Sequence, residues 1–105
     1  MERRRRALRA GAPGGAGVSV RLRLSTLLRE YAATPGVVEV DGGTVRACLD
    51  DLARRYPGAA RWVGGRDAPP RVLVTLEGRR IPPERFEGPV DDGAELYLLL
   101  PLGGG

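Results

Sequence analysis

At 105 residues and 42% hydrophobic content the chain can build one modest core, and its 16 glycines and 9 prolines imply short elements joined by tight turns. With no histidine and a single cysteine, Cys48, it excludes an internal disulfide, Ser-His-Asp or Cys-His catalysis and most zinc sites. The formal charge of +4 sits in residues 1–17, where Arg3, Arg4, Arg5, Arg6 and Arg9 meet one acid, Glu2. From Val18 onward twelve arginines balance twelve acids, which argues against a basic nucleic-acid-binding body.

The leader, MERRRRALRAGAPGGAG, has no apolar run long enough for a signal peptide or a membrane span, and its arginines therefore do not form a twin-arginine export signal. Its composition buries too little to offset the cost of ordering, so residues 1–17 are predicted to be disordered. They read as an extension upstream of a start near Val18. Phosphate contact by the arginine run is the one nucleic-acid reading the chain offers, and no aromatic residue interleaves it to stack on bases.

Val18, Val20, Leu22 and Leu24 alternate with Ser19, Arg21 and Arg23, the period of a half-buried strand. Ser25 to Ala33 predicts a short helical turn, broken by Thr34-Pro35-Gly36. Val37, Val38 and Val40 predict a second strand, the hairpin partner of the first, and Asp41-Gly42-Gly43 turns the chain. Thr44 to Tyr56 is the clearest helix, capped by Thr44 or Asp41, with Val45, Leu49, Leu52 and Tyr56 on one face and Pro57-Gly58 as the stop. Cys48 lies beside that face and reads as a buried, inert thiol, since no base stands ready to activate it.

Ala59 to Val63 predicts a further helical turn, with Trp62 at the core edge. Arg71 to Leu76 predicts a strand, with Val72, Val74 and Leu76 in phase, and Glu77-Gly78 a turn. Ile81 to Glu87, with its prolines, predicts a short strand and a helical turn. Val90-Asp91-Asp92-Gly93 is a tight turn before the apolar strand Glu95 to Leu100. That strand lacks alternation, which implies burial on both faces and a central place in the sheet. The fold predicted is α+β: a ubiquitin-like β-grasp, a mixed sheet of four to five strands with one main helix packed across it. The expected boundaries are a leader over 1–17, the β-grasp domain over 18–100 and a flexible glycine tail over 101–105.

The chain closes with Leu100-Pro101-Leu102-Gly103-Gly104-Gly105. Glycines after an apolar strand are poor packing, and a plain glycine-rich disordered end is the bland account. The functional account is a small carrier whose working atom is the carboxyl carbon of Gly105, on a tail that lacks Cβ atoms and so can enter a narrow channel.

Several local patterns fall in an order that resembles the MoaD/ThiS family of ubiquitin-like sulfur carriers, which includes the small subunit of molybdopterin synthase. Leu28-Arg29-Glu30 follows the first strand, Thr44-Val45 opens the helix, Tyr56-Pro57 closes it, and Asp92-Gly93 leads into the last strand. The end corresponds to a family pattern Pro-Pro-Val-small-Gly-Gly. Leu100 stands in place of its first proline and Gly103 in place of its usual Ala or Ser. The likeness spans roughly Val18 to Gly105.

The resemblance implies that a ubiquitin-activating-like partner adenylates Gly105 with ATP, and that a sulfur donor then converts it to a thiocarboxylate. Gly103 and Gly104 would thread the partner channel, while Pro101 and Leu102 would form the tail base and a partner contact. The chain would have no catalytic residue, metal or cofactor of its own; ATP and Mg²⁺ would belong to the activating partner. The expected acceptor is a biosynthetic enzyme of cysteine, thiamine or a sulfur-containing secondary metabolite. Two alternatives are a molybdopterin-synthase small subunit and a protein modifier. All seventeen basic residues are arginine, so the chain offers no side-chain amine for lysine-linked chains on itself. The lone cysteine fits a cytoplasmic location, with no membrane and no specific nucleic-acid partner.

Overall fold

The computed structural model describes residues 18–65 and 67–101. The leader over 1–17 and the tail residues Leu102, Gly103, Gly104 and Gly105 lie outside the described residues. Five strands form one mixed sheet: β1 (Ser19–Leu24), β2 (Val37–Asp41), β3 (Leu73–Leu76), β4 (Arg79–Ile81) and β5 (Glu95–Leu99), in the order β2-β1-β5-β3-β4. β1 and β5 are parallel neighbours, and the other pairs are antiparallel. This is the α+β, ubiquitin-like β-grasp the sequence predicts, with five strands.

The helices follow their local signals. Helix α1 (Thr26–Ala32) begins where the Ser25 side chain accepts the Leu28 N–H, and ends at Ala33 in the left-handed region. Helix α2 (Val45–Arg55) takes Thr44 as its cap rather than Asp41, with Thr44 Oγ1 accepting the Ala47 N–H at 3.0 Å. Helix α3 (Ala60–Val63) follows a 3-10 turn over Pro57–Ala59. Gly42 sits where a Cβ would come within 2.8 Å of the Cys48 backbone nitrogen, so only glycine lets the turn after β2 pass this close to α2.

The core lies between one sheet face and α2. Val20, Leu22, Val40, Val74, Leu96 and Leu98 from the sheet meet Val45, Leu49 and Leu52 from the helix, all buried. Trp62 packs against its edge, stacked on Tyr31 with ring centroids 5.6 Å apart.

One finding departs from the sequence reading. β5 is central, but only Leu96 and Leu98 are buried, while Glu95 and Tyr97 are exposed. The expected burial on both faces is wrong because helices cover a single face of the sheet. The apolar run owes its unbroken look to Tyr97, whose ring lies on the open side.

Asp51 is buried on α2, unlike its neighbour Asp50. Its Oδ2 accepts the Asp41 N–H at 2.9 Å and Arg55 Nε at 2.8 Å, and its Oδ1 accepts from Arg54. The carboxylate thus ties the end of β2 to the helix. Burial alone pushes its pKa up, but the Asp41 amide and the Arg55 and Arg54 guanidinium groups outweigh this and hold it below the ordinary aspartate value of 3.8.

A folded-state value below the unfolded one stabilises the fold above about pH 4, and that contribution fades as pH falls through the folded value. Asp51→Asn should therefore cost about 2 kcal/mol at pH 7 in urea unfolding. The gap from the parent chain should shrink steadily as the measurement moves to about pH 3 and below.

Candidate functional site

β5 lies between β1 and β3 and carries the chain toward its end. Leu100 packs half-buried against the core, and Pro101 is exposed. Of the residues expected to act, Pro101 alone is described, at the mouth of the central strand; Leu102, Gly103, Gly104 and Gly105 lie outside the described residues.

The open sheet face beside this exit has a definite order. Register aligns Val37, Arg23, Tyr97, Thr75 and Arg80 in one row across all five strands. Tyr97 is 47% exposed and Val37 44%. The Arg23 guanidinium stands 6.0 Å from the Tyr97 ring centroid and pairs with Glu95 at 3.2 Å. Leu73 opposes Leu99 in the row nearer the exit, both half-buried. Farther from the exit, Arg21 stands 3.9 Å from Glu39. An apolar and aromatic patch next to the exit therefore gives way to paired charges.

This geometry suits contact with another protein. A surface with a solvent-facing tyrosine, flanking arginine and half-buried leucines has the composition of a protein interface centre. Sequence reasoning missed Tyr97 and Arg23 as site residues. The signal was available: Glu95 and Tyr97 share one phase of β5, and their polar ends favour the solvent side.

Cys48 is fully buried, and its Sγ–H donates to the Gly42 carbonyl at 3.6 Å. Burial, then the Asp51 and Asp41 charges, push the thiol up to about 12, so it is protonated at neutral pH. Among the described residues no group of three or more His, Cys, Asp or Glu side chains could hold a metal ion, and no helix is long and apolar enough to cross a membrane.

No family model and no curated protein matches the sequence. Solved structures do match it. The chain is similar to small archaeal modifier protein 1 (SAMP1) of Haloferax volcanii, with 28% identity and a TM-score of 0.68, covering 83% of this chain and 99% of that one. It is also similar, at 28% identity and a TM-score of 0.65, to a chain of the Amycolatopsis orientalis BexX/CysO complex, covering 82% of this chain and 99% of that one.

A chain in the complex of subunits 1 and 2 of the molybdopterin-converting factor from Helicobacter pylori shares the fold, at 18% identity and a TM-score of 0.58 over 84% of this chain and 100% of that one. Together with the sequence resemblance, these likenesses support a MoaD/ThiS-like, ubiquitin-like sulfur carrier.

Cys48 should stay unreactive toward a thiol-specific reagent such as DTNB in the native chain and react at once in denaturant. Cys48→Ala should fold, at a cost of about 1–2 kcal/mol from the small cavity left in the core. Rapid labelling of the native chain would overturn this reading of the thiol.

Proposed function

We propose that this MoaD/ThiS-like chain is a sulfur carrier whose Gly105 carboxylate is adenylated and converted to a thiocarboxylate, which then donates sulfur to a biosynthetic enzyme. The observation that carries the reading is the placement of β5. The central strand ends at Leu99 and is followed by exposed Pro101, four residues before Gly105, beside an open face fit for a partner.

A carboxylate is a poor electrophile because its charge is delocalised. Attack of a Gly105 oxygen on the α-phosphorus of ATP, with loss of pyrophosphate, would install AMP as a leaving group. Sulfide would then add to the acyl carbon and expel AMP. With a persulfide donor, the resulting acyl disulfide would be cleaved by a thiol. ATP, Mg²⁺ and every catalytic side chain would belong to the activating partner, so this chain would be a cosubstrate recharged each cycle and not an enzyme. Gly103 and Gly104 would thread the partner channel, and Pro101 and Leu102 would anchor the tail base. We place the cycle in the cytoplasm, with 18–100 as the β-grasp domain and 101–105 as the tail that carries the reacting group.

Two other readings use the same end. The fold shared with the molybdopterin-converting factor complex favours a molybdopterin-synthase small subunit. The likeness to SAMP1 favours a modifier joined to target lysines. Conversion of a pterin precursor with a large subunit would select the first, and an isopeptide at Gly105 the second.

Incubation with ATP, the activating enzyme and a sulfur donor should raise the intact mass by about 16 Da, the exchange of oxygen for sulfur at the carboxylate. The added mass should map to the C-terminal peptide, need ATP, persist in Cys48→Ala and vanish when Gly105 is deleted. Sulfur that follows Cys48 instead would sink the reading.

The open face makes its own prediction. Tyr97→Asp should leave stability within about 1 kcal/mol of the parent, as a half-exposed position whose main lost contact is with Arg23. It should weaken binding to the activating or accepting enzyme by about tenfold or more in a titration calorimetry experiment.

A further inference from the structure

The arginines of the folded body divide into two sets. Arg21, Arg23, Arg46, Arg54 and Arg55 each stand within 4.0 Å of a carboxylate. Arg79, Arg80 and Arg85 have no such partner among the described residues, and all three line one recess of about 420 Å³ with Leu76, Glu77 and Ile81. Arg29, Arg61 and Arg71 are also unpaired among the described residues, but none of them lines this recess.

The recess is held by stiff backbone. β3 and β4 are joined by Glu77 and Gly78, with φ of 52° and 81°, the left-handed pair of a tight hairpin turn. Pro82 and Pro83 follow, and a 3-10 turn over Pro83–Arg85 fixes Arg85 through its N–H to the Pro82 carbonyl at 2.8 Å. Leu76 and Ile81 are half-buried against the core and give the recess an apolar floor. Three guanidinium groups against one carboxylate, Glu77, leave a net positive rim around it.

We propose that this recess at the free edge of β4 docks an acidic segment of a partner protein, with an apolar side chain on the floor and carboxylates on Arg79, Arg80 and Arg85. Guanidinium forks match carboxylates in geometry as well as charge. No aromatic residue lines the recess, so it lacks the stacking surface that single-stranded nucleic acid uses. β4 is three residues long and is followed by Pro82, which has no N–H, so the segment seats through side chains and does not extend the sheet. This surface is separate from the chemistry at Gly105 and does not depend on it.

The test is an NMR titration of the full ¹⁵N-labelled chain with a short blocked peptide of aspartates and glutamates around one leucine. Amide shifts should concentrate at Gly78, Arg79, Arg80, Ile81 and Arg85. Arg79→Glu with Arg85→Glu should weaken binding about tenfold or more, whereas Arg29→Glu with Arg71→Glu, an equal change of net charge, should alter it less than about twofold.

The single exposed change Arg85→Ala should weaken binding about two- to fivefold and serves if the reversed pair does not fold. Replacing the peptide leucine by serine should weaken binding about three- to tenfold. Four results would overturn the proposal: shifts confined to the arginines of residues 1–17, equal loss in both charge-reversed variants, tighter binding of an oligothymidine of equal charge at the same residues, or no shift at millimolar peptide.

Discussion

The parallel pairing of β1 with β5 is the constraint from which the rest of the architecture follows. A hairpin cannot join parallel neighbours, so the chain between them must cross one face of the sheet and return. α2 supplies most of that cover, and β3 and β4 complete the sheet on the far side of β5. The pairing is secured at its start: the Ser19 N–H donates to Asp92 Oδ1 at 2.8 Å and the Gly93 N–H to the Ser19 carbonyl at 2.7 Å. Gly93 holds a φ of +87°, which lets the turn enter β5 in register with β1.

Because cover lies on one face, the other is free for partners. The core needs Leu96 and Leu98 on the inside of β5, and the strand's alternation then places Tyr97 outside in a row with Arg23. The element that anchors the fold is thus also the element that presents Tyr97 to solvent and leads to the exposed Pro101.

Among the described residues, the buried charge lies in a small region where β2 approaches α2. Gly42 permits the approach, Cys48 fills the contact, and Asp51 satisfies the Asp41 amide while two guanidinium groups neutralise it. Both the raised thiol and the lowered carboxylate come from this contact. Burial dominates for the thiol, which lacks a cationic partner, whereas for the carboxylate burial is outweighed by the Asp41 amide and the two guanidinium groups together. The described arginines of the body likewise divide into those paired with a carboxylate within the fold and those without one, Arg79, Arg80 and Arg85 among them.

Much of this was legible locally. Alternation in Val18 to Leu24 and the face of Val45, Leu49 and Leu52 depend on period alone, and Ser25, Thr44 and Gly78 carry their cap or turn chemistry in their own side chains or in the lack of one. The family resemblance likewise rests on local patterns and their order. Tertiary structure decided what depends on neighbours far along the chain. It left one face of β5 uncovered and so exposed Tyr97. It buried Asp51 but left Asp50 in solvent, and it gave Arg23 a carboxylate while leaving Arg79, Arg80 and Arg85 without one. A residue's propensity and spacing belong to the sequence, whereas its burial and its charge partners are set by which distant segments pack against it.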